Sequence, residues 1–559
     1  MLFRSVLFND FDRDGDPDVL VSLAGGGLRF LRNDGGNANQ SIKARLLGNR
    51  SNAGGLGTRI EVRAGSWRTL RTVQQLPVEI GVGKHARLDS VTVRWFDTQL
   101  PSVDVPVEPQ VTLELIELTV PTGSCPYLYA WDGERFAFVT DLLGAAPVGL
   151  PVAKGRYIEA DPEEFVRVGT DATFPRRNGR RVLQVTEELR EILYLDAARM
   201  VAVDHPPGVE VHPTSKLVPG KPFPAHAVVG VHRPFPLLKA TDLDGRDVTD
   251  TLAKTDKKRV SPPTLHGDGY RGMAGRHGVV LDFGPLPVSE PMTLVLDGWL
   301  RFGGGMANIA ASHREDFGFP FPVLEAERPD GTWARVPVTV GAPAGKTKSI
   351  VADLTGKLAP GTRRLRLTQE FEIHWDRVAL MRPASASSVV RHDLAPSRAD
   401  LHVRGYSAFA DLPWTEPLSP VYDRLLPRPN WRFTPSGWVT RTGDVRGLLE
   451  QRDDGLAILA GGDELTLEFD DSSLPAPGPG MERTFFLWTV GWDKDADFHV
   501  ARGNTVEPLP WNGMNDQLHG VEARPAFASD ALHERFNTRW IGPRTVARRA
   551  EQQPRRARP

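Results

Sequence analysis

Short segments in which apolar and polar side chains alternate recur along most of the chain. Residues 42–46, 59–63 and 90–95 each place an apolar side chain at about every second position. Successive side chains of a β-strand point to opposite faces, so this alternation is typical of half-buried antiparallel strands. The pattern predicts an all-β, multi-domain protein built from short strands.

Residues 125–139 are predicted to form an aromatic-flanked hairpin. The dipeptide Asp132-Gly133 suits the tight turn between its strands, and aromatic side chains on such hairpins are expected mainly in a core. Similar apolar segments, separated by proline and glycine turns, predict strands at 181–185, 225–229, 279–283, 293–300, 335–340 and 364–367, and short helical turns at 187–194.

Composition narrows the class of protein. The 559 residues give an expectation of about three to five domains; the formal net charge of −2 gives no electrostatic reason to expect nucleic-acid binding. The single Cys125 excludes an intramolecular disulfide framework and a cysteine-cluster zinc site. No apolar run reaches the roughly 18 residues of a membrane span.

The strongest chemical signal is an acidic loop at residues 10–18. Gly15 stands at its sixth position and permits a sharp turn, while carboxylates on alternate residues supply the oxygen ligands that Ca²⁺ prefers. Val21 occupies the position where an EF-hand needs a glutamate, so the loop leads into a strand rather than a helix. The candidate metal-binding residues are Asp10, Asp12, Asp14, Asp16 and Asp18. The alternative is an acidic turn that is merely solvated.

The strand–loop–strand context of this loop resembles the FG-GAP/VCBS repeat, which forms blades of integrin-like β-propellers and carries the pattern D-x-D-x-D-G-x-x-D. The resemblance implies calcium ligation by the side chains of Asp10, Asp12, Asp14 and Asp18, and by the backbone carbonyl of Asp16. About one repeat is present, whereas a propeller needs about four to eight blades.

Residues 37–118 resemble the ASPIC/UnbV domain. The order N-x-S-N-x-x-G-x-G in residues 49–57 is followed by a basic strand, by Val82-Gly83 and by Arg94-Trp95. The segment between Thr72 and Ile80 is shorter than the usual turn of that family. An FG-GAP repeat followed by this domain is similar to the arrangement in cartilage acidic protein and its bacterial relatives. The glycines are interpreted as turn residues, because the strand-to-helix context of a phosphate-binding loop is absent.

The chain is expected to divide into six parts: a partial FG-GAP/VCBS propeller repeat with the calcium loop (1–33), an ASPIC/UnbV-like β-domain (37–118), a β-rich domain (121–260), a jelly roll that loosely resembles the galactose-binding type (265–385), a Trp-rich β-domain (386–520) and a polar, partly disordered tail (521–559). The predicted architecture is therefore one partial β-propeller blade followed by antiparallel β-sandwich or jelly-roll-like domains.

Other candidate chemistry is weaker. The acids Asp493, Asp495 and Asp497 alternate, but Phe498 stands where a loop glycine would be, so a solvated or hydrogen-bonded turn is favoured over a second cation site. Glu372 and Asp376 lie four residues apart, about 13 Å along a strand, which is farther than the roughly 5–10 Å between the paired carboxyl groups of glycosidases. His374 and Trp375 between them are interpreted as sandwich residues.

These observations favour a non-enzymatic, calcium-binding β-repeat protein of the exported or cell-surface type that mediates glycan or protein binding and adhesion. Carbohydrate is a suitable ligand class, because sugar rings stack on tryptophan and tyrosine planes. The alternatives are a carbohydrate-active enzyme with ancillary β-modules and a truncated remnant of a larger FG-GAP protein. The expected location is extracellular, cell-surface or periplasmic, with a signal upstream of Met1; the alternative is cytoplasmic.

Overall fold

The computed structural model describes residues 3–14, 16–48, 51–95, 112–117, 126–153, 155–266, 270–312, 321–427, 429, 431, 434–496, 499–515 and 519–542. Within these residues strands greatly outnumber helices, and this confirms the prediction of an all-β, multi-domain protein. The chain divides into two compact units. The amino-terminal unit holds Met1–Pro121 with Gly267–Tyr270 and Met306–Asp316, and the larger unit holds the rest.

The strands of the amino-terminal unit are β1 (Phe3–Asn9), β2 (Asp18–Leu23), β3 (Leu28–Leu31), β4 (Gln40–Leu47), β5 (Arg59–Ala64), β6 (Trp67–Thr72), β7 (Val78–Gly83), β8 (Ser90–Arg94) and β9 (Thr112–Ile116). They form three three-stranded sheets with the orders β1-β2-β3, β7-β4-β9 and β6-β5-β8. All pairings are antiparallel except that of β4 with β9.

The last two of these sheets enclose one core. Ile42, Ala44 and Leu46 of β4 are buried and pack in the same cluster as Ile60 and Val62 of β5. The predicted alternation at 42–46 is thus confirmed, because one face of the strand meets the core and the other carries the polar side chains.

The β1-β2-β3 sheet has a different character, since its apolar side chains stay exposed on both faces. The consecutive residues Val6, Leu7 and Phe8 are 46%, 45% and 54% exposed. Successive side chains of a strand point to opposite faces, so neither face of β1 is covered by a core. Within the described residues this sheet has no further blade beside it and no closed propeller forms.

The larger unit contains the remaining strands. Its strands, in chain order, are β10 (Tyr127–Trp131), β11 (Phe136–Asp141), β12 (Pro151–Ala153), β13 (Arg156–Tyr157), β14 (Glu163–Thr170), β15 (Arg181–Thr186), β16 (Glu191–His205), β17 (Val209–Pro213), β18 (Val228–Pro234), β19 (Lys239–Asp242), β20 (Met273–Asp282), β21 (Thr293–Leu300), β22 (Val323–Glu327), β23 (Trp333–Arg335), β24 (Lys348–Asp353), β25 (Arg364–Phe371), β26 (Ile373–Pro383), β27 (Val390–Leu394), β28 (Arg398–Val403), β29 (Ser407–Phe409), β30 (Pro420–Leu425), β31 (Gly437–Val439), β32 (Gly443–Asp444), β33 (Ala457–Ala460), β34 (Asp463–Phe469), β35 (Glu482–Asp495) and β36 (Arg539–Ile541).

The helices of the described chain are short: α1 (Thr249–Leu252), α2 (Gly304–Ser312) and α3 (Asp530–Phe536). None of the helices in these residues is long and apolar enough to cross a membrane.

Two sheets form what we term the outer sandwich. One has the order β11-β10-β15-β34-β28-β32, and the other has the order β14-β35-β16-β27 with β33 also paired to β16. Leu183 and Leu467 of the first sheet pack in one core with Tyr194, Met200 and Leu487 of the second. The predicted aromatic hairpin is confirmed as β10 and β11, and Tyr127 and Tyr129 are buried as expected.

Two further sheets form what we term the inserted sandwich, because all its strands lie between β16 and β27. Their orders are β17-β18-β26-β21-β24 and β19-β20-β25-β22-β23. Leu294 and Ile350 of the first sheet share a core with Val279, Leu324 and Leu367 of the second. The predicted strand at 293–300 is found at those residues, and every side chain in it is buried.

The structure differs from the sequence predictions at several places in the larger unit; for example, the strand predicted at 225–229 begins only at Val228. Strands from 127–205 and from 390–495 share both sheets of the outer sandwich, so the predicted ranges 121–260 and 386–520 do not separate into two domains. The predicted helical turns at 187–194 are largely replaced by the start of β16, because strand pairing overrides the local preference. The strand predicted at 335–340 ends at Arg335.

Candidate functional site

The acidic loop joins β1 to β2, whose pairing brings Asn9 opposite Asp18. Carboxylates in the loop accept hydrogen bonds from its own backbone. The N–H of Asp14 donates to Asp10 Oδ1 at 3.1 Å, and the N–H of Asp16 donates to Asp14 Oδ1 at 3.2 Å. The second contact spans two residues and is an Asx turn, whereas the first spans four residues. Gly15 lies outside the described residues.

Three of the five predicted ligands converge. Oxygen atoms of Asp10, Asp12 and Asp18 all lie within 4.8 Å of one another. Asp10 and Asp18 are buried and Asp12 is exposed. Asp14 and Asp16 do not belong to this group; Asn37 instead donates to both, from Nδ2 to Asp14 Oδ2 at 3.3 Å and from its N–H to Asp16 Oδ2 at 2.9 Å.

The other oxygen of Asp16 is unusual. Asp16 Oδ1 is buried and has no hydrogen-bond partner, whereas a buried carboxylate oxygen normally accepts at least one bond. The Cβ that a side chain would add at Gly36 would contact Asp16, so the glycine lets residues 36–38 approach the loop. This part of the loop therefore holds a desolvated carboxylate oxygen that a cation or a water would satisfy.

Cationic side chains already balance part of the charge. Lys43 Nζ lies 2.5 Å from Asp10 Oδ2 and 3.7 Å from Glu79 Oε1, and Arg32 Nε lies 3.3 Å from Asp12 Oδ2. Partial desolvation, together with the nearby carboxylates of the loop, nevertheless raises the pKa of Asp12. Asp12 is thus the exposed member of the converging group, and both carboxylates and Arg32 act on it.

Exposed tryptophans form a second feature. Trp438 of β31 lies directly opposite Trp540 of β36 in strand register. The rings have centroids 5.2 Å apart at an angle of 71°, and the residues are 48% and 56% exposed. Two large aromatic residues exposed side by side are costly to hydrate and make a suitable contact surface for an apolar ring face. The sequence showed many tryptophans but gave no signal that these two meet.

Neighbouring groups contact both members of the candidate acid pair. Glu372 Oε1 accepts from Arg301 Nε at 2.7 Å and lies 3.3 Å from His374 Nε2. Asp376 Oδ1 accepts the backbone N–H of Lys257 at 3.0 Å. Both carboxylates are therefore hydrogen-bonded within the protein. His374 and Trp375 are fully buried, in agreement with their interpretation as sandwich residues.

The predicted acidic turn near residue 493 is wrong for Asp493, which lies in β35 and is buried; Asp497 lies outside the described residues. Asp493 Oδ1 and Glu187 Oε2 have no hydrogen-bond partner. Burial, reinforced by neighbouring carboxylates, raises the pKa of Glu187, Glu191 and Asp493 well above the ordinary range. The sequence did not indicate this cluster of three buried acids, because Asp493 lies some 300 residues along the chain from Glu187 and Glu191.

Comparisons with known proteins identify no family. No family model matches the chain, and no curated protein matches it. Among solved structures, the arabinofuranosyltransferase AftD from Mycobacteria is similar at 9% sequence identity with a TM-score of 0.13, over 87% of this chain and 32% of that chain. A mutant form of AftD gives 8% identity and a TM-score of 0.09, over 84% of this chain and 41% of that chain. The chain thus spans less than half of either structure.

Proposed function

We propose that this protein is a non-enzymatic, calcium-binding β-protein of the exported or cell-surface type that binds glycans. The observation that carries the calcium part is the convergence of Asp10, Asp12 and Asp18 oxygens within 4.8 Å, next to the unpartnered Asp16 Oδ1. Ca²⁺ takes about six to eight oxygen ligands at 2.3–2.6 Å. The carboxylates and the carbonyls of the loop supply oxygens of the right type.

The proposed role of the cation is structural. Among the described side chains of the β1-β2-β3 sheet, Val21 is the only buried apolar one. A cation that neutralises the loop would hold the β1–β2 connection in one conformation. It would thereby stabilise a sheet that gains little stability from its own buried apolar side chains. A relationship to FG-GAP/VCBS repeats and ASPIC/UnbV domains remains part of this proposal.

Calcium titration calorimetry tests the metal site. We expect saturable Ca²⁺ binding to the whole chain, much weaker binding for Asp12→Asn, and unchanged binding for the control Glu134→Gln, at an exposed acid of the larger unit. Lys43→Met should bind Ca²⁺ more tightly, because its ammonium competes for Asp10. At about 100 times Kd, bound Ca²⁺ should stabilise the folded unit by about 2.7 kcal/mol. Absence of binding at millimolar Ca²⁺ would refute the proposal.

The glycan part is supported by the exposed pair Trp438 and Trp540. Tryptophan fluorescence and affinity electrophoresis against a panel of polysaccharides test it. Trp438→Ala and Trp540→Ala should each weaken retardation by the same polysaccharide, whereas Trp414→Ala, another exposed tryptophan, should not. Equal retardation of all variants would show that the pair does not bind sugar.

A further inference from the structure

A cavity of about 660 Å³ opens in the larger unit, beside the inserted sandwich. Its lining is mainly aliphatic and includes Val203, Val228, Val351 and Val389. Pockets for small molecules measure about 300–1,000 Å³ and are mostly apolar, with a few polar groups that fix orientation. The size and lining of this cavity fit that description.

The exceptional lining residue is Lys216, whose side chain is almost entirely buried. Its Nζ donates to the carbonyl oxygens of Thr339 and Val351, each at 2.9 Å. An ammonium has three N–H donors, so these two bonds leave one donor over. Carbonyl oxygens also leave the full positive charge in place.

No carboxylate of the described chain forms an ion pair with Lys216, and the charged group that acts on it is another cation, Lys357. Asp353, an exposed acid that also lines the cavity, accepts the backbone N–H of Thr355 at 2.9 Å, and Lys357 acts on its charge. Burial lowers the pKa of Lys216 to about 8, so the amine stays largely protonated near neutral pH. At the rim, Arg391 is already paired with Asp393 at 2.6 Å.

An uncompensated buried charge is costly, and a ligand anion would offset that cost. We propose that this cavity binds a free amphiphilic monoanion, a carboxylate on an aliphatic body, with the carboxylate at Lys216 and the body against the valine lining. The charge supplies selectivity for an acid over the matching alcohol, and the aliphatic walls supply affinity through burial of apolar surface.

Calorimetric titration of the whole protein with decanoate below its micelle concentration, and with decanol, tests this site. We expect one decanoate per chain and binding of decanol weaker by at least about tenfold, the value of a charge-assisted hydrogen bond. Lys216→Met should lose this preference for the acid, whereas the control Lys239→Met, at an exposed lysine outside the cavity lining, should keep it.

A cavity-filling variant keeps the test valid if Lys216→Met fails to fold. Ala225 is exposed at the cavity wall, so Ala225→Trp should fold normally, as circular dichroism would verify, and should block both ligands. Three results would each overturn the proposal: no decanoate binding to the unaltered protein, unchanged binding by folded Ala225→Trp, or binding only to vesicles of phosphatidylglycerol. The last result would mean surface adsorption to a membrane.

Discussion

A buried ion-pair cluster joins the two sandwiches of the larger unit and gives a sharp stability prediction. Lys348 of β24, in the inserted sandwich, places Nζ 2.7 Å from Glu164 Oε1 of β14 and 3.3 Å from Asp141 Oδ1 at the end of β11. All three side chains are 10% exposed or less. Burial by itself would lower the pKa of Lys348, but the two carboxylates outweigh burial and raise it.

The perturbation is Lys348→Met, which keeps the aliphatic stem and removes the ammonium. Two buried carboxylates then lose their nearest ammonium. Asp141 keeps Lys346 Nζ at 3.6 Å, and each carboxylate retains a backbone donor, the N–H of Leu143 for Glu164 and the N–H of Lys346 for Asp141. Breaking a buried pair by removing one partner costs about 3–5 kcal/mol. Because the backbone donors remain, we expect the lower end, about 3 kcal/mol.

Urea unfolding followed by circular dichroism measures this loss of unfolding free energy. The urea concentration at the midpoint should fall while the dependence of the free energy on urea concentration stays constant. The double variant Lys348→Met with Glu164→Gln should recover part of the loss, because the uncompensated charge is removed together with its partner. A cost below about 1 kcal/mol, or strictly additive effects in the double variant, would show that solvent or other groups replace the ammonium and would refute the reasoning.

Three further predictions concern the inserted sandwich. Leu367→Ala removes a fully buried side chain and should cost about 2–5 kcal/mol in urea unfolding. Gly278→Ala should cost about 1–3 kcal/mol in the same assay, because its Cβ would collide with the carbonyl oxygen of Leu367 across the β20–β25 pair; a neutral effect would mean that the pair separates easily. Hydrogen bonds from His212 and Arg377 lower the pKa of Glu210 to about 2, although burial opposes them. The stabilisation by this carboxylate should therefore be complete above its ordinary pKa near 4.5 and should be lost as the pH falls towards 2. Glu210→Gln should flatten that part of a profile of melting temperature against pH.

Much of the strand content could be predicted from the chain because it rests on local alternation. The strands at 42–46, 59–63 and 293–300 are found within one or two residues of the predicted ends. Segments without a clear period were less predictable. Residues 187–194 carry several glutamates that suit a helical turn, yet β35 pairs with them from residue 191 onward and makes them a strand.

The acidic loop could be predicted from the sequence for the same local reason, since its five aspartates occupy nine consecutive residues. What the sequence could not reveal is how the carboxylates are shared. Asn37 binds two of them and Lys43 pairs with Asp10, and both partners lie well beyond the loop. Five ligands were predicted, from side chains and backbone, whereas three carboxylates converge in the structure. These distant partners explain the difference.

The sequence by itself determined the all-β class, the hairpins and the acidic loop, because each depends on residues that are neighbours along the chain. Only the tertiary structure decided which distant strands pair, and so placed the inserted sandwich between two halves of the outer one. It likewise decided that Trp438 meets Trp540 and that Lys216 is buried without an ion-pair partner among the described residues. Burial and strand pairing across hundreds of residues depend on how whole sheets pack. The local periodicity of a segment predicts a strand but does not indicate which sheet that strand joins.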